Sequence, residues 1–237
     1  MKKSIFLMII ALLFTITSLK AQEEVRTMVT HLKNGNAIEP SVADIDSITF
    51  CIKAPNPKWV EINGVKWAEY NVDMPGAFAA NPEDAGMFYQ WNCKIGWSST
   101  DSMVNSNGGT TWDSSILSGT TWEPANDPSP PGYRVPTKKE IESLLNTTYV
   151  TNVWTTENGV SGRQFTDNST GESIFLPAAG SRNYSDGTLS NVGTNGYYWS
   201  SPQNNASNAY GLYFSSSLVL LLNYYRSLGF SVRPVAE

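Results

Sequence analysis

Histidine is almost missing from this chain: His31 is the single imidazole in 237 residues. A Ser-His-Asp triad, a Cys-His dyad or a His-rich zinc site needs an imidazole that residues 54–237 do not contain, so those mechanisms are set aside. His31 itself reads as a solvated strand residue rather than a catalyst. Cysteine is nearly as scarce. Cys51 and Cys93 are either a disulfide of an oxidising compartment or two separate thiols, and their spacing does not decide between the two. Charge is thin, at 16% of residues, and the pI near 5.0 comes with no Lys/Arg cluster. Without a basic footprint, neither nucleic acid nor an anionic membrane is an expected partner. No phosphate-cradling glycine loop occurs either, because Asn107-Gly108-Gly109 lacks a following helix and lysine. Apolar runs are short. Ser4–Ser18 holds about 15 residues where a bilayer span needs roughly 20, and Leu218–Leu222, shorter still, reads as a buried strand.

What is present begins with an export signal: Lys2 and Lys3, the apolar run, and Ala21 closing a cleavage site before Gln22. Residues 1–21 are read as a signal peptide, and the product as secreted or held at the outer cell surface by protein contacts, with no membrane span left. Removing them takes three lysines and no acid, so the formal net charge moves from −5 to −8. Residues 22–53 form a small β unit: Val25–Lys33 and Ala37–Val42 flank Asn34-Gly35, which suits a two-residue hairpin turn, and Ser47–Ile52 is a third β-prone run. Ala54-Pro55-Asn56-Pro57 makes residues 54–58 a semi-rigid linker. The main domain, 59–237, opens with a second hairpin, Trp59–Ile62 and Val65–Val72 around Asn63-Gly64. Asn81-Pro82-Glu83-Asp84 predicts a short helical turn, Phe88–Trp91 a buried aromatic strand, and Trp97–Gly119 a long surface loop.

The most specified stretch is Trp122–Thr137, with proline at 124, 128, 130, 131 and 136 fixing a non-repetitive path into one helix, 138–145. Thr137 with Glu140 is a capping box, and Ile141, Leu144 and Leu145 share the face that docks on a core. Strands are then predicted over Arg163–Thr166, Ser173–Ala178, Tyr197–Ser200, Tyr210–Phe214, Leu218–Tyr225 and Phe230–Val235. One helix among many short strands gives α+β with a mostly antiparallel sheet.

Together with that stretch, Phe175-Leu176-Pro177-Ala178-Ala179-Gly180-Ser181-Arg182, Gly196-Tyr197-Tyr198-Trp199-Ser200-Ser201 and Gly229-Phe230-Ser231-Val232-Arg233-Pro234-Val235 carry a resemblance. Over about residues 59–237 the chain resembles the Fibrobacter succinogenes major paralogous domain family, found in secreted and surface proteins of the Bacteroidetes and their relatives. The resemblance implies a C-type-lectin-like fold and an adhesive role, as in outer-surface and pilus-tip proteins. Many members carry cysteines where this chain has Ser129 and Pro234, so the resemblance implies the loss of one disulfide as a unit. Glu123–Asp127 superficially resembles the calcium and sugar motif of C-type lectins, yet it precedes the helix whereas that motif lies late in the domain. No cofactor is expected, calcium being the one candidate.

No catalytic constellation stands out, and the chain is read as a non-enzyme. Two distant acids would suffice for glycoside hydrolysis, but Asp127 beside Pro128 reads as a local turn former and Glu140 as a cap. Asp167, Asn168, Asn183 and Asp186 offer oxygens without a metal-site spacing. Saccharide faces stack on aromatic rings and their hydroxyls suit amides, carboxylates and guanidinium groups. The candidate binding residues are therefore Trp97, Trp112, Arg182, Asn183, Tyr184, Asp186, Tyr224 and Tyr225, while Trp91, Trp122 and Trp199 read as core. The expected ligand is an extracellular glycan or protein. The alternatives are a pilus-tip-like assembly subunit whose N-terminal strands pair with a neighbour, and a carboxylate-based glycan hydrolase.

Overall fold

The computed structural model describes residues 59–237 and, ahead of them, the backbone of four residues. By internal contacts the chain divides into Met1–Ala54 and Pro55–Glu237. In the first unit β1 (Thr30–His31) pairs antiparallel with β2 (Ala37–Ile38), Thr30 opposite Ile38 and His31 opposite Ala37. A two-residue turn at Asn34-Gly35 would set His31 opposite Ile38. The observed register differs by one, so the connection holds an odd number of residues. The signal segment, Ser47–Ile52, Cys51 and the linker lie outside the described residues.

In the second unit β3 (Trp59–Ile62) and β4 (Val65–Ala68) form the expected hairpin. Asn63 and Gly64 both take positive φ, at 49° and 77°, the pattern that matches strand twist in a two-residue turn. The chain's last strand closes this sheet, whose order is β3, β4, β16 (Val235–Ala236), β7 (Tyr133–Arg134), so the start and end of the unit are tied together. Between them β5 (Phe88–Tyr89) pairs with β6 (Gly96–Trp97). Asn81–Asp84 is a single turn and not a helix. The Asp84 carboxylate accepts from Asn81 N at 2.8 Å, and Gly86 at φ 65° leads the chain out at once.

The proline-rich path packs as read. Asp127 accepts from Ser129 N at 2.8 Å and from Val135 N at 2.9 Å, closing the loop on itself. It delivers α1 (Lys138–Leu144), capped by Thr137 and Glu140 in both directions. Arg134 also grips Glu140 with two nitrogens, at 2.9 and 2.6 Å. Ile141 and Leu144 are the face that α1 buries.

Two antiparallel meanders follow. The first joins β8 (Val150–Glu157), β9 (Val160–Asp167) and β10 (Ser173–Pro177), with Asn158-Gly159 repeating the positive-φ turn. β11 (Ser181–Arg182) and β12 (Leu189–Ser190) form a small hairpin. The second meander joins β13 (Gly196–Gln203), β14 (Asn208–Phe214) and β15 (Val219–Tyr225). The predicted strand Phe230–Val235 is instead, until Val235 enters β16, a crossing segment: Gly229, Phe230 and Ser231 meet Arg182, Tyr89 and Tyr198 through single bridges. Pro234 cannot donate to a ladder, and Arg233 turns inward. The described fold is mostly antiparallel β with one short helix.

One core gathers Trp67, Ile141, Leu144, Phe165, Leu176, Tyr198 and Phe214, the other Trp91, Trp122, Trp199, Phe230 and Val232. Trp199 stacks on Phe230 with centroids 4.3 Å apart and donates its indole N–H to Tyr89 O at 2.7 Å. The buried cations are held by carbonyl groups. Arg233 donates to Asn71 Oδ1 at 2.8 Å, to Phe175 O at 2.9 Å and to the carbonyls of Ala68, Glu69 and Pro82. Burial lowers its pKa to about 10. Five oxygens replace the solvation that a buried guanidinium loses, and the charge fastens three chain segments at once.

Candidate functional site

A concavity lies where three turns meet. The Asn63-Gly64 tip, the Thr148–Tyr149 segment ahead of β8 and the Asp167–Glu172 turn between β9 and β10 line a groove of about 710 Å³. That volume falls in the range of small-ligand sites. Trp59 and Tyr149 line it, 43% and 55% exposed. Glu61, Asn168, Thr170 and Glu172 supply its polar edge.

Its floor is rigid for a local reason. Asp167 Oδ2 accepts from Asn63 N at 2.8 Å, while Oδ1 accepts from Ser169 N at 2.8 Å, Ser169 Oγ at 2.5 Å and Thr170 N at 3.1 Å. These donors, the Ser169 hydroxyl foremost and the Asn63 amide next, hold the carboxyl well below the usual carboxylate range. Asn63 Nδ2 ties the same tip to Ser143 O at 3.1 Å, near the end of α1. Asn168 N bonds Tyr149 O at 2.8 Å, and Thr151 Oγ1 bonds Asn168 Oδ1 at 2.6 Å. The rings therefore project from a pinned backbone. Lys66 Nζ lies 4.5 Å from the Trp59 ring centroid.

The residues named from sequence divide into two sets. Trp97, Trp112 and Arg182 are buried and leave the list of surface candidates. Trp97 and Trp112 pack on each other at 4.9 Å, and Trp112 Nε1 donates to Tyr184 O at 3.1 Å. Arg182 is a strut: it reaches Ser98 O at 2.9 Å, Thr100 O at 2.6 Å and Gly187 O at 2.6 Å, which spends its donors on carbonyls. Tyr224 is half-buried, edge-on to Phe230 at 5.0 Å, and burial pushes its hydroxyl pKa up. Tyr184 and Tyr225 are brought together, 46% and 52% exposed with centroids 5.3 Å apart. Asn183 and Asp186 flank them, but Asn183 Oδ1 accepts from Ser185 N and Oγ at 2.9 and 2.8 Å, and Asp186 Oδ1 from Thr188 N at 2.9 Å. Both shape the loop.

Residues 151–235 match the model of a family described as a domain of unknown function, DUF8237. No curated protein and no solved structure matches the chain. The DUF8237 span holds the Tyr184–Tyr225 pair and the Asp167–Glu172 wall, whereas Trp59, Glu61 and Tyr149 precede it.

The acids singled out from sequence have structural partners: Asp127, Glu140 and Asp167 each accept several protein donors. Near Glu123–Asp127, Asn92 Oδ1 accepts from Glu123 N at 2.7 Å and Trp122 Nε1 takes Asn126 O at 2.8 Å, so these groups turn to the protein. Among the described residues no group of three or more His, Cys, Asp or Glu is placed to hold a metal ion. Cys93 is half-buried, makes no disulfide among them, and burial pushes its thiol pKa up.

The sequence reading missed Trp59 and Tyr149. A signal for Trp59 was there: Trp59 and Glu61 share the outward parity of β3, opposite buried Ile62.

Proposed function

We propose that the protein is a secreted or surface-held, non-enzymatic binding module whose ligand is an extracellular glycan, taken in the groove lined by Trp59 and Tyr149. One observation carries the reading: two exposed aromatic rings stand on a hydrogen-bonded floor beside amide, hydroxyl and carboxylate groups. Pyranose rings offer apolar faces to aromatic walls and hydroxyls to polar edges, and a pinned site loses little entropy on binding. The antiparallel meanders with one capped helix suit the C-type-lectin-like fold that the family resemblance implies, and an adhesive role goes with it. The reading is of a calcium-independent site, supported by Asp167, one of the groove's three carboxylates, which already accepts four protein donors.

The test is a glycan and extracellular-protein array probed with the full chain, with calcium and with chelator. Glycan binding that persists in chelator and disappears in Trp59→Ala and Tyr149→Ala supports the reading. Turnover of a bound glycan, or binding that needs calcium, counts against it.

A further inference from the structure

β15 is an edge strand with none of the devices that keep edges from pairing. The order of its sheet is β13, β14, β15, and the backbone of Val219–Tyr224 makes no hydrogen bond outside that sheet among the described residues. Edges are ordinarily blunted by lysine, proline or a bulge. Here the sequence Val-Leu-Leu-Leu-Asn-Tyr-Tyr has neither residue, and its register runs unbroken from Phe214 opposite Val219 to Asn208 opposite Tyr225. Sequence periodicity reads Leu218–Leu222 as a buried strand. Instead only Val219 and Leu221 pack on the core, while Leu220 and Leu222 remain 42% and 39% exposed.

From this edge we infer that two copies of the chain associate through β15, antiparallel and about a twofold axis at Leu221, joining two three-stranded sheets into one of six.

Charge favours a second copy over a different partner. From Gly187 to Tyr225 the chain has no Asp, Glu, Lys, Arg or His, in a protein of net charge −5. Like copies repel where their acids face one another, and this sheet is a surface on which they do not. The sequence is also self-complementary. Pairing centred on Leu221 sets Leu220 of one copy opposite Leu222 of the second on the same face, at both ends of the twofold. Four exposed leucines then cover one another, as an isologous contact requires. With the axis at Leu221, Val219–Asn223 of the two copies pair, five residues spanning roughly 17 Å, a contact well below the standard interface of about 1,600 Å². The dimer is accordingly weak, with a dissociation constant on the order of 100 μM.

Sedimentation velocity of the full chain from about 5 μM to about 500 μM, bracketing that constant, tests this. Three proteins are compared: wild type, the double variant Leu220→Glu/Leu222→Glu, and Val153→Glu on the exposed outer strand β8. The expected result is a dimer that grows with concentration in wild type and in Val153→Glu. The double variant weakens association at least about tenfold, since each new carboxylate faces another. A wild type that stays monomeric, a dimer that survives the double variant, or a dimer lost in Val153→Glu would overturn the inference. Amide exchange on wild type needs no mutation: protection at Val219–Asn223 rises with concentration if the strands pair and stays constant if they do not. Neither readout depends on a ligand, so the dimer and the glycan reading fail separately.

Discussion

Trp112 and Trp59 both neighbour an exposed tyrosine, yet Trp112 is 9% exposed and Trp59 43%. Trp112 lies in a glycine-containing loop that folds over it. Gly187, at φ 71°, leaves room that any Cβ would fill at 2.6 Å from the indole, and the Trp112 N–H is satisfied by Tyr184 O. Trp59 starts an outer strand of its sheet, where alternation turns it to solvent beside Glu61. Loop position is therefore a poor guide to ring exposure. What decides is whether the local backbone leaves a space and a hydrogen-bond acceptor on the inner side. The same contrast separates Arg182, consumed by three carbonyls, from the exposed Glu61 and Glu172 carboxylates at the edge of the groove.

The sharpest way to break this contrast is to delete the buried ring. Trp112→Ala removes a packed indole and the support of Trp97, and costs about 3–5 kcal/mol, read as a drop in the urea midpoint. Gly187→Ala follows at about 2–4 kcal/mol, since the new methyl meets Trp112 and Met103 and the residue must also hold a left-handed conformation. Thr137→Ala, which removes one half of the capping box, costs about 1 kcal/mol. Trp59→Ala and Tyr149→Ala stand at the other end, within about 0.5 kcal/mol of wild type, as exposed substitutions do.

Acid sharpens the comparison in the groove itself. The Asp167 carboxyl is held below its unfolded value by Ser169, Asn63 and Thr170, so its contribution to stability is complete above about pH 4. That contribution is lost as pH falls further, through the folded value. Melting temperature between pH 5 and pH 2 should fall more steeply in wild type than in Asp167→Asn. Equal slopes would mean that the Asp167 contacts do not hold the floor.

Local chemistry was legible in the sequence. Asn63-Gly64 announced a turn because the dipeptide tolerates positive φ, and Thr137 with Glu140 announced a helix start because the cap is reciprocal. Trp91, Trp122 and Trp199 lie in the core as read. β8 was missed: Val150–Glu157 mixes threonine, asparagine and aromatic residues without a clean alternation, and its burial shows why, with one edge free. Tyr149 was lost with it. The groove was invisible for a different reason. Its walls come from residues 59–64, 148–149 and 167–172, which are tied across the fold by Asp167 to the Asn63 amide and by Asn168 to Tyr149. Spacing along the chain carries no trace of those bonds.

The most direct test of the groove as the binding site is calorimetric titration of the strongest array ligand into wild type and four single variants: Trp59→Ala, Tyr149→Ala, Tyr184→Ala and Tyr225→Ala. Heat of binding should vanish in the first two at unchanged melting temperature and persist in the last two. Binding retained in Trp59→Ala and Tyr149→Ala but lost in Tyr184→Ala and Tyr225→Ala would move the site to the tyrosine pair and contradict the account.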